Sequence, residues 1–345
     1  MSSAALDGRL GSITEREIRS MPVVWRQLAD RLDAEATSLA ALVAASPVVV
    51  FLGCGSGHLS GRIAVDLLRP VGVPARAEVA SDYVLRPVRD AAERASHDGA
   101  RALAIAVSRS GETSETCAAA EAFRQRTGGR VIAVTCRPDS RLARLADMTI
   151  AVPEADEEAV PQTRSVSAFL LLWILLAGRA SGEDHRGAVL AAADRLSVAA
   201  DEVWTRLAEL TGAERYVLLG SGAGQPLGEE TALKMIEMGR VAAWAWRALE
   251  YRHGPLEALD DRTAVIGPLG SDLAPAEHAA VGEAAGAAGF SLDIAALVGP
   301  VPRPGELLVQ LYALHVLSLL ASRARGRDAD APTQIRAFVD DVELA

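Results

Sequence analysis

The chain has 345 residues, half of them hydrophobic and only 4% aromatic, which is enough for one large or two ordinary domains that each bury a core. A net charge of −10 with no Lys/Arg block opposes a phosphodiester backbone, and so few aromatics leave no stacking surface for bases, so no nucleic-acid partner is expected. The cysteines Cys54, Cys117 and Cys136 are widely spaced and fit no zinc pattern, so they read as small buried thiols of a reducing compartment, and neither a metal nor a cofactor is expected.

Residues 1–8 show no basic flank followed by an apolar run, so no secretory leader is read there. The longest apolar stretch, Ala168 to Ala177, spans about ten residues, short of a bilayer crossing, and the expectation is a cytoplasmic protein with no membrane partner. Ile13 to Ala45 has helical periodicity, with Met21-Pro22 expected to break it into a lead-in and a longer helix through Trp25, Leu28 and Leu32. Pro47 to Leu52 is then a continuous apolar run of strand length, followed by the loop Gly53-Cys-Gly-Ser-Gly57 and a helix from His58 to Leu68.

The same order recurs at once. Ala102 to Val107 is a strand, Ser108 to Thr113 a loop and Ser114 to Gln125 a helix; Val131 to Thr135 and Met148 to Val152 are further strands. Continuous apolar strands alternating with helices specify a parallel sheet covered on both faces. A helix from Arg164 to Arg179 and the polar patch Ala180 to Arg186 precede a second unit: strand Tyr216 to Leu219, loop Gly220-Ser-Gly-Ala-Gly224, helix Leu227 to Met238. Strand, G-x-G-[SA]-G and helix thus occur twice, a repeat of whole domains. The second copy looks degenerate, since its next strand, Thr263 to Gly267, runs into Pro268-Leu-Gly-Ser-Asp272 without the Ser/Thr richness of the first, and the rest to Ala324 reads as helical. The organisation expected is a lead-in over residues 1–45, a first α/β domain over 46–200 and a second over 201–345.

Parallel strands deliver their loops to the carboxyl edge of the sheet, where helix N-termini favour anions. In Ser108-Arg-Ser-Gly-Glu-Thr113, three hydroxyls and an arginine precede a helix start and can wrap a phosphate monoester; an ordinary helix cap needs only one of them. The loop Gly53 to Gly57 lacks the G-x-G-x-x-G spacing of dinucleotide folds and reads as lining for a sugar or its phosphate, with Gly55 and Ser56 in the binding set. Lys234 is the only lysine beside 34 arginines, and it stands with Glu230 and Glu237 on one helix face. Such a set is either a surface ion-pair ladder or a proton-transfer group, for which a compact ammonium that can lose its proton is suited and a guanidinium is not. His253, before Gly254-Pro255, is either a polar turn residue or an acid/base group.

Together these segments resemble the tandem form of the SIS (sugar isomerase) domain family, which includes the isomerase half of glucosamine-6-phosphate synthase and related sugar-amine-phosphate deaminases and deglycases. The resemblance covers nearly the whole chain. Ser108 to Thr113 is similar to the family loop S-x-S-G-E-T, which implies that Ser108, Ser110 and Thr113 hold the phosphate, with Arg109 beside them. Ala232-Leu-Lys-Met-Ile-Glu237 and Arg252-His-Gly-Pro255 resemble A-L-K-x-x-E and K-H-G-P, which implies catalytic roles for Lys234, Glu237 and His253. Val160 to Ser165 resembles V-A-x-T-K-[SA] and brings Gln162 near the sugar; Glu17-Ile with Met21-Pro22, and Asp330-Ala-Pro332, resemble the family's lead-in and the start of its C-terminal tail.

What the resemblance implies is two tandem SIS domains acting on a ketose or amino-sugar phosphate through an enediol or enolamine, as a homodimer with composite sites in which His253 comes across the interface. The sequence departs from the synthase-like members in the tail, where Thr333 to Phe338 has no lysine to form an imine, and in residue 2, which is Ser rather than a Cys nucleophile. With no extra domain before Pro47, glutamine-fed synthesis is not expected. The alternatives are a deglycase that cleaves a sugar-phosphate conjugate of an amine, for which no imine lysine is needed, and a non-catalytic phosphosugar sensor, against which Glu237 and His253 argue.

Overall fold

A computed structural model describes residues 9–86, 101–336 and 338–340, apart from the side chains at 295 and 298. The expectation about a leader at residues 1–8 lies outside them. The chain packs as two compact units. One holds Gln27–Asp156, Ala168–Arg186 and the residues from Arg336, and the other holds the residues up to Arg26, Glu157–Ser167 and Gly187–Ile335.

The elements of the first unit begin with part of α1 (Ser12–Ala44), followed by β1 (Val49–Gly53), α2 (Ser56–Leu68), β2 (Ala75–Val79), α3 (Ala80–Leu85), β3 (Leu103–Val107), α4 (Ser114–Thr127), β4 (Arg130–Thr135), α5 (Arg141–Leu145), β5 (Met148–Ala151) and α6 (Arg164–Ser181). The strands form one parallel sheet in the order β2-β1-β3-β4-β5. Alternation along β1 shows why both faces are covered. Val50 and Leu52 join Tyr83, Cys117, Phe123 and Leu142 in one core. Phe51 turns the other way and meets the Trp173 ring of α6 edge-on at 5.3 Å, while Trp173 Nε1 donates to Ser60 Oγ of α2 at 2.7 Å.

The second unit continues with α7 (Arg186–Ala208), β6 (Arg215–Gly220), α8 (Gly224–Gly239), β7 (Ala242–Arg247), β8 (Thr263–Leu269), α9 (Pro275–Ala287), β9 (Phe290–Asp293), α10 (Ile294–Val298) and α11 (Glu306–Ala324). Its sheet is again parallel, in the order β7-β6-β8-β9. Val217, Leu219 and Val265 pack with Tyr251, Val281 and Ala284 on one face. On the other, α8 lies so close that a Cβ at Gly228 would stand 3.2 Å from the Ala245 Cβ and 3.4 Å from that of Leu218. α8 also lies against α11, where Ser322 Oγ donates to the Met238 carbonyl at 2.7 Å. The fold is the α/β arrangement expected, two parallel sheets flanked by helices.

Three sequence expectations need correction. α1 runs unbroken through Pro22. Proline inside a helix costs about 3 kcal/mol, but Ile18, Met21, Trp25, Leu28 and Leu32 are all fully buried, and that packing outweighs one missing N–H bond. Strands β2, β7 and β9 were not visible in the apolar pattern, and β9 falls in the stretch read as helical. Lastly, α6 and α11 reach 18 and 19 residues with mean hydropathy 1.3 and 1.5, long enough to cross a bilayer, yet 78% and 83% of their residues are buried in the protein, as in core helices.

Two carboxylates in the second unit tie remote segments together. Asp330, in the motif read as the start of the tail, caps α1: its oxygens accept from the Ile13 and Thr14 N–H groups at 2.7 and 2.9 Å and from Thr14 Oγ1 at 2.6 Å. Glu157 accepts from the N–H and hydroxyl of Thr163 (2.7 and 2.6 Å), the N–H of Arg164 (2.6 Å) and the N–H and hydroxyl of Ser165 (3.1 and 2.5 Å), which closes the loop before α6. Glu17 sits beside it, accepting from the Glu158 N–H at 2.7 Å. Burial, and then the negative charge of Glu157, push the Glu17 carboxyl up to about 7.

Replacing Asp330 with Ala should lower stability by about 1–3 kcal/mol, read by urea unfolding at pH 7. Because the folded chain holds the Glu17 proton more tightly than the unfolded one, stability present below pH 4.5 declines as pH rises toward about 7. Glu17→Gln should flatten that decline in a series of thermal melts from pH 5 to 8; an unchanged slope would remove Glu17 as its source.

Candidate active site

In the first unit, parallel strands β1 and β3 lie side by side with Gly53 opposite Val107, so the glycine loop and the hydroxyl loop leave the same edge. This is where the doubly wound order reverses, the place at which such sheets bind ligands. The glycines are there because backbones touch: a Cβ at Gly57 would lie 2.5 Å from the Val107 carbonyl oxygen, and one at Gly53 2.6 Å from the Gly57 carbonyl carbon. Gly111 turns the second loop at φ +66°, and a Cβ there would sit 2.0 Å from Ser140 Oγ. Around it, the Gly111 N–H donates to Ser108 Oγ at 3.1 Å, the Glu112 N–H to Ser110 Oγ at 3.1 Å, and Ser108 and Thr113 share a hydroxyl contact of 3.2 Å.

Thr113 occupies the cap position of α4 but makes no side-chain cap bond. The hydroxyls therefore do not serve as an ordinary cap; they converge at a helix start, an arrangement that can donate to an anion. Ser56 begins α2 and is buried, as are Ser108, Arg109 and Ser110. Beside this loop, the Ser114 N–H donates to the Val339 carbonyl at 2.9 Å.

The second unit repeats the glycine contacts but not the hydroxyls. A Cβ at Gly224 would lie 2.0 Å from the Leu269 carbonyl oxygen, as Gly57 does from Val107. Beyond β8, however, Gln310 bonds Gly270 at both its N–H and its carbonyl, each at 3.0 Å, and Ser271 Oγ donates to Glu306 at 2.7 Å. An amide and a carboxylate thus fill the place of the anion grip.

In the same unit α8 presents Lys234, almost wholly buried, with Glu237 Oε2 at 2.5 Å and Glu230 Oε1 at 3.5 Å. It is not a surface ladder. Burial works against the ammonium's charge, but Glu230 first and then Glu237, with Glu157 further off, outweigh it and hold Lys234 above the ordinary lysine value. Glu237 is one-fifth exposed, so one end of the pair meets solvent. It borders a cavity of about 650 Å³ that runs along the end of α8 to the segment 326–335. Gln162, on the loop closed by Glu157, has a buried Oε1 with no partner among the described residues. His253 is exposed on the turn after Glu250–Arg252 and does not line the cavity of Glu237.

Three residues escaped the sequence reading. Glu157 and Glu17 carry no local signal, because their partners come from other segments. His315, a lone imidazole in an apolar helix, is fully buried with neither ring nitrogen bonded among the described residues; burial, then the Lys234 charge, push it down to about 3, so it is neutral. Among the described residues no three His, Cys, Asp or Glu side chains gather as a metal site.

Comparison with known proteins places this geometry. Residues 83–178 match the SIS domain model. A Symbiobacterium thermophilum protein named glutamine--fructose-6-phosphate aminotransferase [isomerizing] is 29% identical over 93% of this chain and 57% of its own length, so the chain spans little more than half of that relative. A Streptomyces coelicolor protein, provisionally named D-galactosamine-6-phosphate deaminase AgaS, is 29% identical over 92% of this chain and 91% of its own. The crystal structure of tagatose-6-phosphate ketose/aldose isomerase from Escherichia coli superposes with a TM-score of 0.78 at 22% identity, covering 97% of both chains; at that identity the likeness speaks for the fold. With the matched segment carrying the hydroxyl loop and the fold shared end to end, the chain belongs to the SIS domain family.

Proposed function

We propose that this chain is a phosphosugar isomerase or deaminase acting on a ketose or amino-sugar phosphate. The observation that carries the reading is the buried Lys234–Glu237 pair at 2.5 Å, since an ammonium is hardly ever taken out of water unless its charge is used. Ser108, Ser110 and Thr113, with the backbone around Gly55 and Ser56 and the Arg109 charge, receive the phosphate. Gln162 contacts the sugar hydroxyls, which would give its buried carbonyl a donor.

Glu237 takes a proton from one of C1 and C2 and returns it to the other, passing through an enediol or, with an amino sugar, an enolamine. In the second case water adds to the resulting imine and ammonia leaves. Lys234 steadies the charge of Glu237 and of the developing oxyanion. His253 opens the ring by protonating the ring oxygen, and its exposed position suits delivery to the site of a second copy in a homodimer.

Glu237→Gln should cut kcat by about 10²–10⁴-fold while leaving phosphosugar binding by calorimetry near wild type; full activity in that variant would remove Glu237 as the base. Ser110→Ala should raise KM for fructose 6-phosphate or glucosamine 6-phosphate by about tenfold or more, as expected for one lost bond to a charged group, with a smaller effect on kcat. Ammonia release, measured beside aldose–ketose interconversion, separates deaminase from isomerase.

A further inference from the structure

The cavity beside Glu237 is larger than proton transfer at a sugar carbon demands. Its volume, about 650 Å³, falls within the roughly 300–1,000 Å³ of small-molecule pockets. From Glu237 it is walled by Ile236, Pro332 and Ile335, and it is bordered by the guanidinium groups of Arg240 and Arg327. Ile236 and Ile335 are 52% and 38% exposed, large apolar side chains left open to solvent along one trough.

The two arginines are unlike the rest of this acidic chain. Arg240 reaches only Thr333 Oγ1, at 2.8 Å, and its backbone is held at φ +50° where α8 ends. Neither Arg240 nor Arg327 has a carboxylate partner among the described residues, although both border the cavity that holds the reacting carboxylate. Glu237 is already paired with Lys234, and Asp328, the other acid in the wall, has its Oδ1 held by the N–H groups of Gly11 and Asp330 at 2.7 and 3.1 Å. The trough therefore offers apolar walls ending in guanidinium groups, a shape and charge that suit a short side chain bearing a carboxylate.

Resting on the reading of Glu237 as the base, we infer that this cavity binds a substituent on the reacting nitrogen, so that the substrate class is a sugar phosphate joined through nitrogen to a carboxylate-bearing amine. In the open-chain 1-amino-ketose, Glu237 takes the C1 proton to give the enolamine and returns it at C2, leaving an imine between C1 and nitrogen. Water then adds at C1 and the C1–N bond breaks, releasing an aldose phosphate and the free amine with its carboxylate. The substituent extends from nitrogen along Ile236 and Ile335, and its carboxylate meets Arg240 and Arg327.

The test compares fructosyl-glycine 6-phosphate with fructosyl-methylamine 6-phosphate, which lacks the carboxylate, in the wild type and in the R240A, R327A and doubly substituted proteins. The ratio of kcat/KM for the first substrate over the second should fall about 10–100-fold in the double variant, mainly through KM, with partial recovery in Arg240→Lys. An unchanged ratio overturns the inference. So does a double variant whose only change is a smaller mass by light scattering, which would give the trough to a second copy of the chain. Deamination of glucosamine 6-phosphate without turnover of either conjugate would sink the cavity assignment and leave the proposed function standing, whereas inactivity toward every sugar phosphate would sink both.

Discussion

The energetic centre of the second unit is an ammonium taken out of water. A lysine buried without a partner loses several kcal/mol of hydration, and two carboxylates on the same helix compensate only because α8 sets them one turn away on either side. The position of α8 is fixed in turn by backbone contact. Gly224 touches the end of β8, Gly228 lies on β6 and β7, and Gly239 has room for no Cβ against Ser322 of α11. Small residues let the helix settle deep, and depth makes the Lys–Glu pair an internal group rather than a surface one.

The two sheets show how one local design takes two directions. Both copies keep the glycines that let a helix start press on the neighbouring strand end, because any side chain there would collide with a carbonyl. The chemistry is then decided by the loop that leaves that neighbouring strand. After β3, hydroxyls converge at the start of α4 with the Thr113 side chain free of capping duty. After β8, Gln310 and Glu306 satisfy the backbone and place negative charge near it, which makes that edge inhospitable to a phosphate.

Much of this was legible in the residues. β1, β3, β4, β6 and β8 are central strands, buried along nearly their whole length, so they read as unbroken apolar runs. β2 and β7 are edge strands, where Arg76 and Glu78 or the half-exposed Trp244 and Trp246 interrupt the run, and β9 alternates at the other edge. The helical spacing put Glu230, Lys234 and Glu237 on one face, but whether that face was wet or dry depended on α11, far along the chain. Glu157, Glu17 and His315 stayed hidden for the same reason: the groups that give them meaning are brought by folding, not by adjacency.

The uniqueness of Lys234 has a practical side. A protein with one lysine carries one ε-amine, and here that amine is packed away between acids beneath α11. Amine-reactive acylation of this side chain can proceed only through transient opening of the helix pair, so its labelling rate, followed by mass spectrometry, becomes a site-specific clock for breathing at the centre of that unit.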